Sequence, residues 1–548
     1  MADGYDLLIV GGGAAGCVLA ARLSEDPSLR VLVLEAGPDY VELPAALRDG
    51  SGPHTASHDW GLSSEPGSVG RAIALPRGKV IGGSSTTNAA FALRGSPYDF
   101  DAWAARGNRG WGWEDVLPWF VAVENDLDFG HEPHHGGHGP LPVRRYAGEE
   151  RSAVAAAGQA AIEATGVPAI ADHNAPGAVG VGPLPVNEVD GERLGAASTY
   201  LAAARARRNL TVRGGAPVDR VVLERGRAVG VRLADGEDVF GDHVIVASGT
   251  YSSPAILLRS GLGPADELRA AGIEPVLDLP GVGRGLADHP AVSVDVAYAG
   301  AERPRRRFQL VATLHSEQAD AHAEPPDLQL IVGGPFDDPG GAATGATFFV
   351  GGALLTPRSR GRIRLRSPDP LEAPRIDLGY FSHPADLPRL VEAVRRAWRV
   401  ARAEPLDDLS AGTVSAPDDD GDAAVERFVR AHVWTYHHPV GTCAMGPSPA
   451  AGAVVDPAGR VHGLTNLRVV DASIMPDVPS ANTHVPTLML AERIAASMRA
   501  TGAAGGPGRS PDRGPGGPRP YDRGHDFRTD PHRPDAAHRR PPPGTALR

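Results

Sequence analysis

The sequence predicts a mixed α/β (α+β) fold in which a parallel-stranded unit is interleaved with a second unit built on an antiparallel sheet with helices. Three observations predict it. Residues 5–35 read as strand, tight glycine turn, helix and strand. A Val-rich alternating stretch at 210–249 supplies further strands. The chain, at 548 residues, is too long for one ordinary core.

The first unit opens with YDLLIV, then GGGAAG, then a helix through Arg22 and Leu23, then VLVLEAG. From Leu210 to Leu233 the pattern reads as an antiparallel meander, and HVIVASG, His243 to Gly249, as a buried parallel strand. SPAILLRSG has helical spacing and a stop at Gly261. Residues 296–430 carry strands around QLVATL and LQLIVGG and an amphipathic helix from Leu387 to Arg402, and are expected to form mainly the substrate side. The expected divisions are 4–295, a cofactor region with part of the substrate side inserted; 296–430; 431–498, a return to the cofactor side; and a Gly/Pro/Arg-rich tail, 502–548. Lacking apolar periodicity, the tail reads as a solvated, disordered extension.

Composition excludes several classes. Hydrophobic residues at 42% and charged ones at 22% are ordinary for a globular enzyme, and no apolar run approaches the roughly 18 residues of a membrane span. A net charge of -12 without a basic stripe disfavours nucleic acid. With no recognisable leader, a cytoplasmic location is expected. Cys17 and Cys443 lack partners for a disulfide framework or zinc site and read as small buried residues. HEPHHGGHG, His131 to Gly139, reads as a surface loop, because its Pro and Gly residues break helical ligand spacing and only Glu132 is a nearby acid. No metal site is expected.

Gly11, Gly13 and Gly16 stand at G-x-G-x-x-G spacing, with Ala14 and Ala15 between them. The first permits the turn, the second a close pyrophosphate approach, the third helix packing on the strand. Following a strand, opening a helix and meeting Glu35 and Ala36 about 20 residues on, the loop predicts a bound dinucleotide. By itself it leaves FAD and NAD open.

Five further blocks decide between them: RGKVIGGSSTTNAAFALRG (Arg77 to Gly95), GTYSSPAILLRSGLGP (Gly249 to Pro264), GVGRGLADHP (Gly281 to Pro290), YHHPVGTCAMG (Tyr436 to Gly446) and LRVVDASIMPDVPSANTHVPTLMLAERIA (Leu467 to Ala495). In this order they resemble the glucose-methanol-choline oxidoreductase family over nearly all of residues 5–498. The resemblance implies FAD. It implies that Gly82, Gly83 and Ser84 lie along the diphosphate, that Asn88 approaches the isoalloxazine and Val218 the adenine, and that Asp471 and Ala472 contact the cofactor. A buried strand end would account for VVDAS without such contact. Thr87 stands where some members carry a covalently linked histidine, so the FAD is expected to be noncovalent.

The implied chemistry is oxidation of an alcohol CH–OH to an aldehyde or ketone with hydride transfer to flavin N5, which needs a base near neutral pKa. The resemblance assigns that base to His438, ahead of P-x-G-T, with His437 lining the flavin; the doublet leaves His437 as the alternative. It places Asn482 on the substrate oxygen and His484 at the flavin ring. A helix N-cap before LMLAERIA is the lesser reading of Asn482, and the two roles are compatible. The segment order looks nearest to choline dehydrogenases and hydroxymethylfurfural-type aryl alcohol oxidases, with mycofactocin-associated dehydrogenases as similar neighbours. The electron acceptor (oxygen, a quinone or another carrier) and the alcohol are not encoded in these motifs. Asp337 or Asp338 would be the anion for a choline-like cation, though a surface turn is the plainer reading. The competing reading is elimination without net redox, as in the hydroxynitrile lyases of the family.

Overall fold

In the computed structural model, which describes residues 4–322, 324–338 and 342–502, two large sheets each carry their own apolar core. The tail expected beyond 502 lies outside the described residues.

The first sheet grows from Tyr5–Val10, whose inner residues Leu7, Leu8 and Ile9 are fully buried. It pairs in parallel with Val31–Leu34 on one side and Asp238–Val246 on the other. Helix Ala14–Leu23 forms the crossover, as the spacing predicts. One element differs from expectation. Leu210–Arg213 is not part of the meander but a parallel strand beside Val31–Leu34, and the antiparallel hairpin begins only at Val218–Glu224 and Arg227–Leu233. Strand Asp238–Val246 serves both arrangements: its first half pairs antiparallel with Arg227–Leu233, and its last residues pair in parallel with the returning strand Leu467–Val469.

The second sheet is antiparallel: Ser410–Ser415, Pro290–Tyr298, Ala346–Leu354, Leu328–Asp337, Phe308–Leu314 and Gly180–Pro183, in that order, with Trp434–Thr435 also on Pro290–Tyr298. Helix Asp386–Ala401 lies on it and buries Leu390, Ala393, Val394, Ala397 and Ala401, the i, i+3, i+4 stripe that the sequence shows. Its contact is close. A Cβ at Gly352 would come within 2.8 Å of the Ala393 backbone, so this strand position admits the helix only as glycine.

The surface reading of the histidine-rich segment holds for His131, Glu132 and His138, which are exposed, and fails at His135. His135 is fully buried, with Nδ1 3.0 Å from Glu124 and 3.2 Å from Asp126, and Nε2 2.9 Å from Asp172. Arg145 pairs with Asp126 and Asp172, and Arg94 with Glu124. The carboxylates come from 9 to 37 residues away, which hides them from a local reading. Ligand atoms of Glu124, Asp126 and His135 lie close enough for a metal, but three carboxylates against two guanidinium groups and an imidazolium already balance in charge. Burial opposes the imidazolium, yet its bonds to Asp126, Asp172 and Glu124 outweigh that and hold it up to about 10. A raised folded value stabilises fully below the unfolded value and is lost as pH rises toward 10. Glu124→Gln leaves this buried cluster with excess positive charge. It should destabilise the fold by about 3 kcal/mol, read as a lowered unfolding midpoint; an unchanged midpoint would contradict the network.

Candidate active site

Between the sheets runs one cavity of about 710 Å³. Its first end is made by the glycine turn. Gly11 has φ +103°, and a Cβ there would sit 2.5 Å from the Ala247 carbonyl; at Gly16 one would sit 2.0 Å from the Gly11 carbonyl, so helix and strand meet only without side chains. Gly11, Gly13 and Ala14 line the cavity, while Ala15, Gly16 and Gly82 are absent from its lining. Gly82 instead donates its N–H to the Gly12 carbonyl at 2.7 Å, tying the two glycine loops together and bringing Gly83 and Ser84 to the wall.

Glu35 and Ala36 also face this end. The Glu35 carboxylate accepts from the backbone N–H groups of Gly12 and Gly37, both at 2.8 Å. Burial still pushes its carboxyl up to about 7 against those bonds. Val218 lines the cavity near Arg259, and Asp471 and Ala472 close another side. Asp471 accepts from Gly249 N–H at 2.9 Å, the Ser253 hydroxyl at 2.5 Å and Ser473 N–H at 2.8 Å. It therefore pins the start of helix Gly249–Arg259 to the end of the returning strand, a structural use that accompanies its place on the wall. Asn88 and Thr87 line the middle, where the Asn88 side chain accepts from Ala90 N–H.

At the far end stand His437, His438, Asn482 and His484. His437 has φ +69°, a left-handed turn that a non-glycine residue adopts at some cost and that sets the direction of His438. His438 is 7% exposed. Its backbone N–H donates to Asp288 at 2.8 Å, and the buried Asp288 also accepts from Tyr380 and Thr435 hydroxyls. The Asn482 amide nitrogen lies 2.9 Å from His438 Nε2, and His289 Nδ1 lies 3.0 Å from His438 Nδ1. With the Asn482 amide oriented so that its N–H points at Nε2, the neutral ring carries its proton on Nδ1 and shares it with His289 Nδ1. Burial first, then the charges of His289, His437 and Arg77, hold His438 well below the ordinary histidine value. The ring is neutral and its basic nitrogen faces the cavity.

Asn482 is not the helix cap: helix His484–Ala500 is capped at Thr483. Asp288 and His289 carry no role in the sequence reading, although their block was visible; an acid–histidine pair inside a glycine-rich segment is the signal that marks them. Asp337 is exposed and paired with Arg303, and neither it nor Asp338 lines the cavity. Cys17 and Cys443 are buried, with thiol pKa values raised by desolvation.

A glycine turn at one end and a buried imidazole at the other match the two ends of a dinucleotide-dependent oxidoreductase site. Models of the GMC oxidoreductase family match residues 5–291 and 357–491, and the chain belongs to that family. It is 37% identical over 532 residues to the 5-(hydroxymethyl)furfural oxidase of Methylovorus sp. (strain MP688), covering 90% of this chain and 98% of that protein. With the oxygen-dependent choline dehydrogenase 1 of Chromohalobacter salexigens it shares 35% over 539 residues, covering 90% and 95%. The crystal structure of pyridoxine 4-oxidase from Mesorbium loti superposes with a TM-score of 0.83 at 34% identity, covering 90% of this chain and 99% of that one. The protein is thus an oxidoreductase acting on CH–OH donors, of a family whose typical cofactor is FAD. The cavity fits that group: its glycine turns present backbone to the wall beside the Glu35 carboxylate, and His484 Nε2 and Asn482 Oδ1 are buried on it without a hydrogen-bond partner among the described residues. No helix among the described residues is long and apolar enough to cross a membrane.

Proposed function

We propose that the protein oxidises an uncharged, aromatic or heteroaromatic primary alcohol to its aldehyde, with His438 as base and oxygen as acceptor. The observation that carries the proposal is the His438 Nε2 lone pair held beside the Asn482 amide on the cavity wall. An alcohol that displaces the Asn482 N–H from Nε2 gives its hydroxyl proton to that nitrogen, and its oxygen accepts a hydrogen bond from the Asn482 amide. Charge gathering on that oxygen weakens the adjacent C–H bond toward departure as hydride. FAD, when bound, supplies the two-electron acceptor for it. Gly11, Gly13, Glu35, Ser84, Val218 and Asp471 would hold the dinucleotide, and Asn88, His437 and His484 the ring end.

The substrate class follows from the surrounding walls. Phe91, Phe308, Phe349, Trp434 and Tyr436 line the cavity, a flat apolar enclosure. Aromatic rings would also suit a quaternary ammonium. Charge favours the uncharged ring: Glu35 and Asp471 are committed to backbone N–H groups, Glu372 accepts from the Ser367 hydroxyl, and the positive Arg77 acts on both His437 and His438. The names of two relatives, a hydroxymethylfurfural oxidase and a pyridoxine oxidase, agree with a ring-bearing alcohol, and the oxidase names support oxygen as acceptor.

An anaerobic panel of aryl and alkyl alcohols and choline, followed by flavin absorbance before and after oxygen, tests the proposal. Bleaching by aryl alcohols and rapid recolouring with oxygen are expected. Turnover with the flavin still oxidised would instead indicate lyase-type elimination, and bleaching by choline alone would reverse the substrate assignment. Because Thr87 occupies the covalent-link position, we infer noncovalent FAD. Acid precipitation should leave the flavin in the supernatant, and colour kept in the pellet would refute this.

A further inference from the structure

A second, small cavity of about 30 Å³ adjoins the active-site cavity, and Gln329 lines both. Gln329 is 1% exposed. Its Oε1 accepts from the Tyr436 hydroxyl at 2.7 Å, and Nε2 has no partner among the described residues. The same is true of Ser96 Oγ, Thr313 Oγ1 and both ring nitrogens of His173, and all three residues wall the small cavity.

This convergence is unusual in two respects. Ser96 precedes helix Pro97–Ala105, where a serine hydroxyl ordinarily accepts a helix N–H, yet its Oγ is left over and the cap is completed by Asp99 accepting from Ser96 N–H at 2.7 Å. The His173 ring lies beside the Gly182 and Val311 carbonyls without a hydrogen bond of good geometry. Leaving a buried polar group unpaired costs about 1–3 kcal/mol each, so several of them around one void point to a common partner. That partner must both donate and accept, be uncharged, since no ionised side chain lines the void, and fit a space of one or two water molecules.

We propose that the small cavity is a hydration site whose ordered water accepts from Gln329 Nε2 and bonds Ser96, Thr313 and His173. Through it the Gln329 amide is held from behind. Gln329 in turn holds the Tyr436 hydroxyl, and the Tyr436 ring packs edge-on against His438 with centroids 4.6 Å apart. Gln329 and Tyr436 are positioning residues here, and the water fixes the wall against which the alcohol lies. The effect on catalysis rests on the alcohol reading above; the hydration site itself does not.

A high-resolution crystal structure of the FAD-loaded protein should show one or two waters within hydrogen-bond distance of Gln329 Nε2 and at least one of Ser96, Thr313 and His173. An empty void, or a Gln329 rotamer whose nitrogen finds a protein partner, overturns the proposal. Thr313→Val keeps the shape and removes one anchor. It should displace the water and raise KM for the best alcohol about five-fold, the worth of one net hydrogen bond, with kcat held within about two-fold. Unchanged KM, or equal losses in kcat and KM with a lowered melting temperature, would reduce Thr313 to a structural residue and overturn the positioning role. If no alcohol is oxidised, the substrate reading fails, while the water density still decides the site.

Discussion

His438→Ala should lower kcat/KM for the alcohol by about 10³-fold while the purified protein keeps its full flavin content. Removing a positioned general base costs 10² to 10⁴, and 10³ corresponds to about 4 kcal/mol of transition-state stabilisation. The middle of that range, rather than its lower end, suits the proposed base because the ring is prepared in advance. Its tautomer is set by His289, its backbone by Asp288, and desolvation keeps it neutral. The pH dependence follows in sign. A base must be unprotonated, and a lowered pKa keeps it so into acid, so the acid limb of kcat/KM should fall below the ordinary histidine value of about 6.5. A limb at or above that value, or undiminished activity in the alanine variant, would remove His438 from the mechanism.

Asn482→Ala is expected to cost about 10² in kcat, with the acid limb little changed. Loss of one donor to a developing oxyanion costs about 10² to 10³, and the lower figure suits a site where His438 still takes the proton. The Asn482 amide carries no titration, so the pH profile belongs to the imidazole alone. Because Asn482 lies before the capping residue Thr483, the substitution leaves the cap of helix His484–Ala500 in place. Flavin retention and melting temperature should therefore hold. An equal loss in stability and rate would identify a structural role instead.

How much of this was legible depended on the distance over which each feature is determined. The Tyr5–Leu34 unit could be read because strand, glycine turn and helix are local patterns in 30 residues. Leu210–Arg213 was placed in the wrong pairing for the opposite reason: alternation reveals a strand but not its partner, and its partner Val31–Leu34 lies nearly 180 residues earlier. His438 and Asn482 were found through resemblance of whole blocks. The residue that sets the His438 tautomer, His289, is 149 positions away and has no spacing signal linking it to its partner. The same limit hid Asp172 from the histidine-rich segment.

The bond between Gly82 N–H and the Gly12 carbonyl, with Glu35 clasping Gly12 and Gly37, has a kinetic meaning. These bonds tie the two glycine loops to each other through protein atoms alone, which stiffens the cradle and lowers the ordering entropy that dinucleotide binding would cost. Capture should then be governed by entry into the cavity rather than by loop rearrangement. Release is slow for the complementary reason: no single loop can peel away while the other holds it. Such a cradle would suit the noncovalent FAD inferred from Thr87.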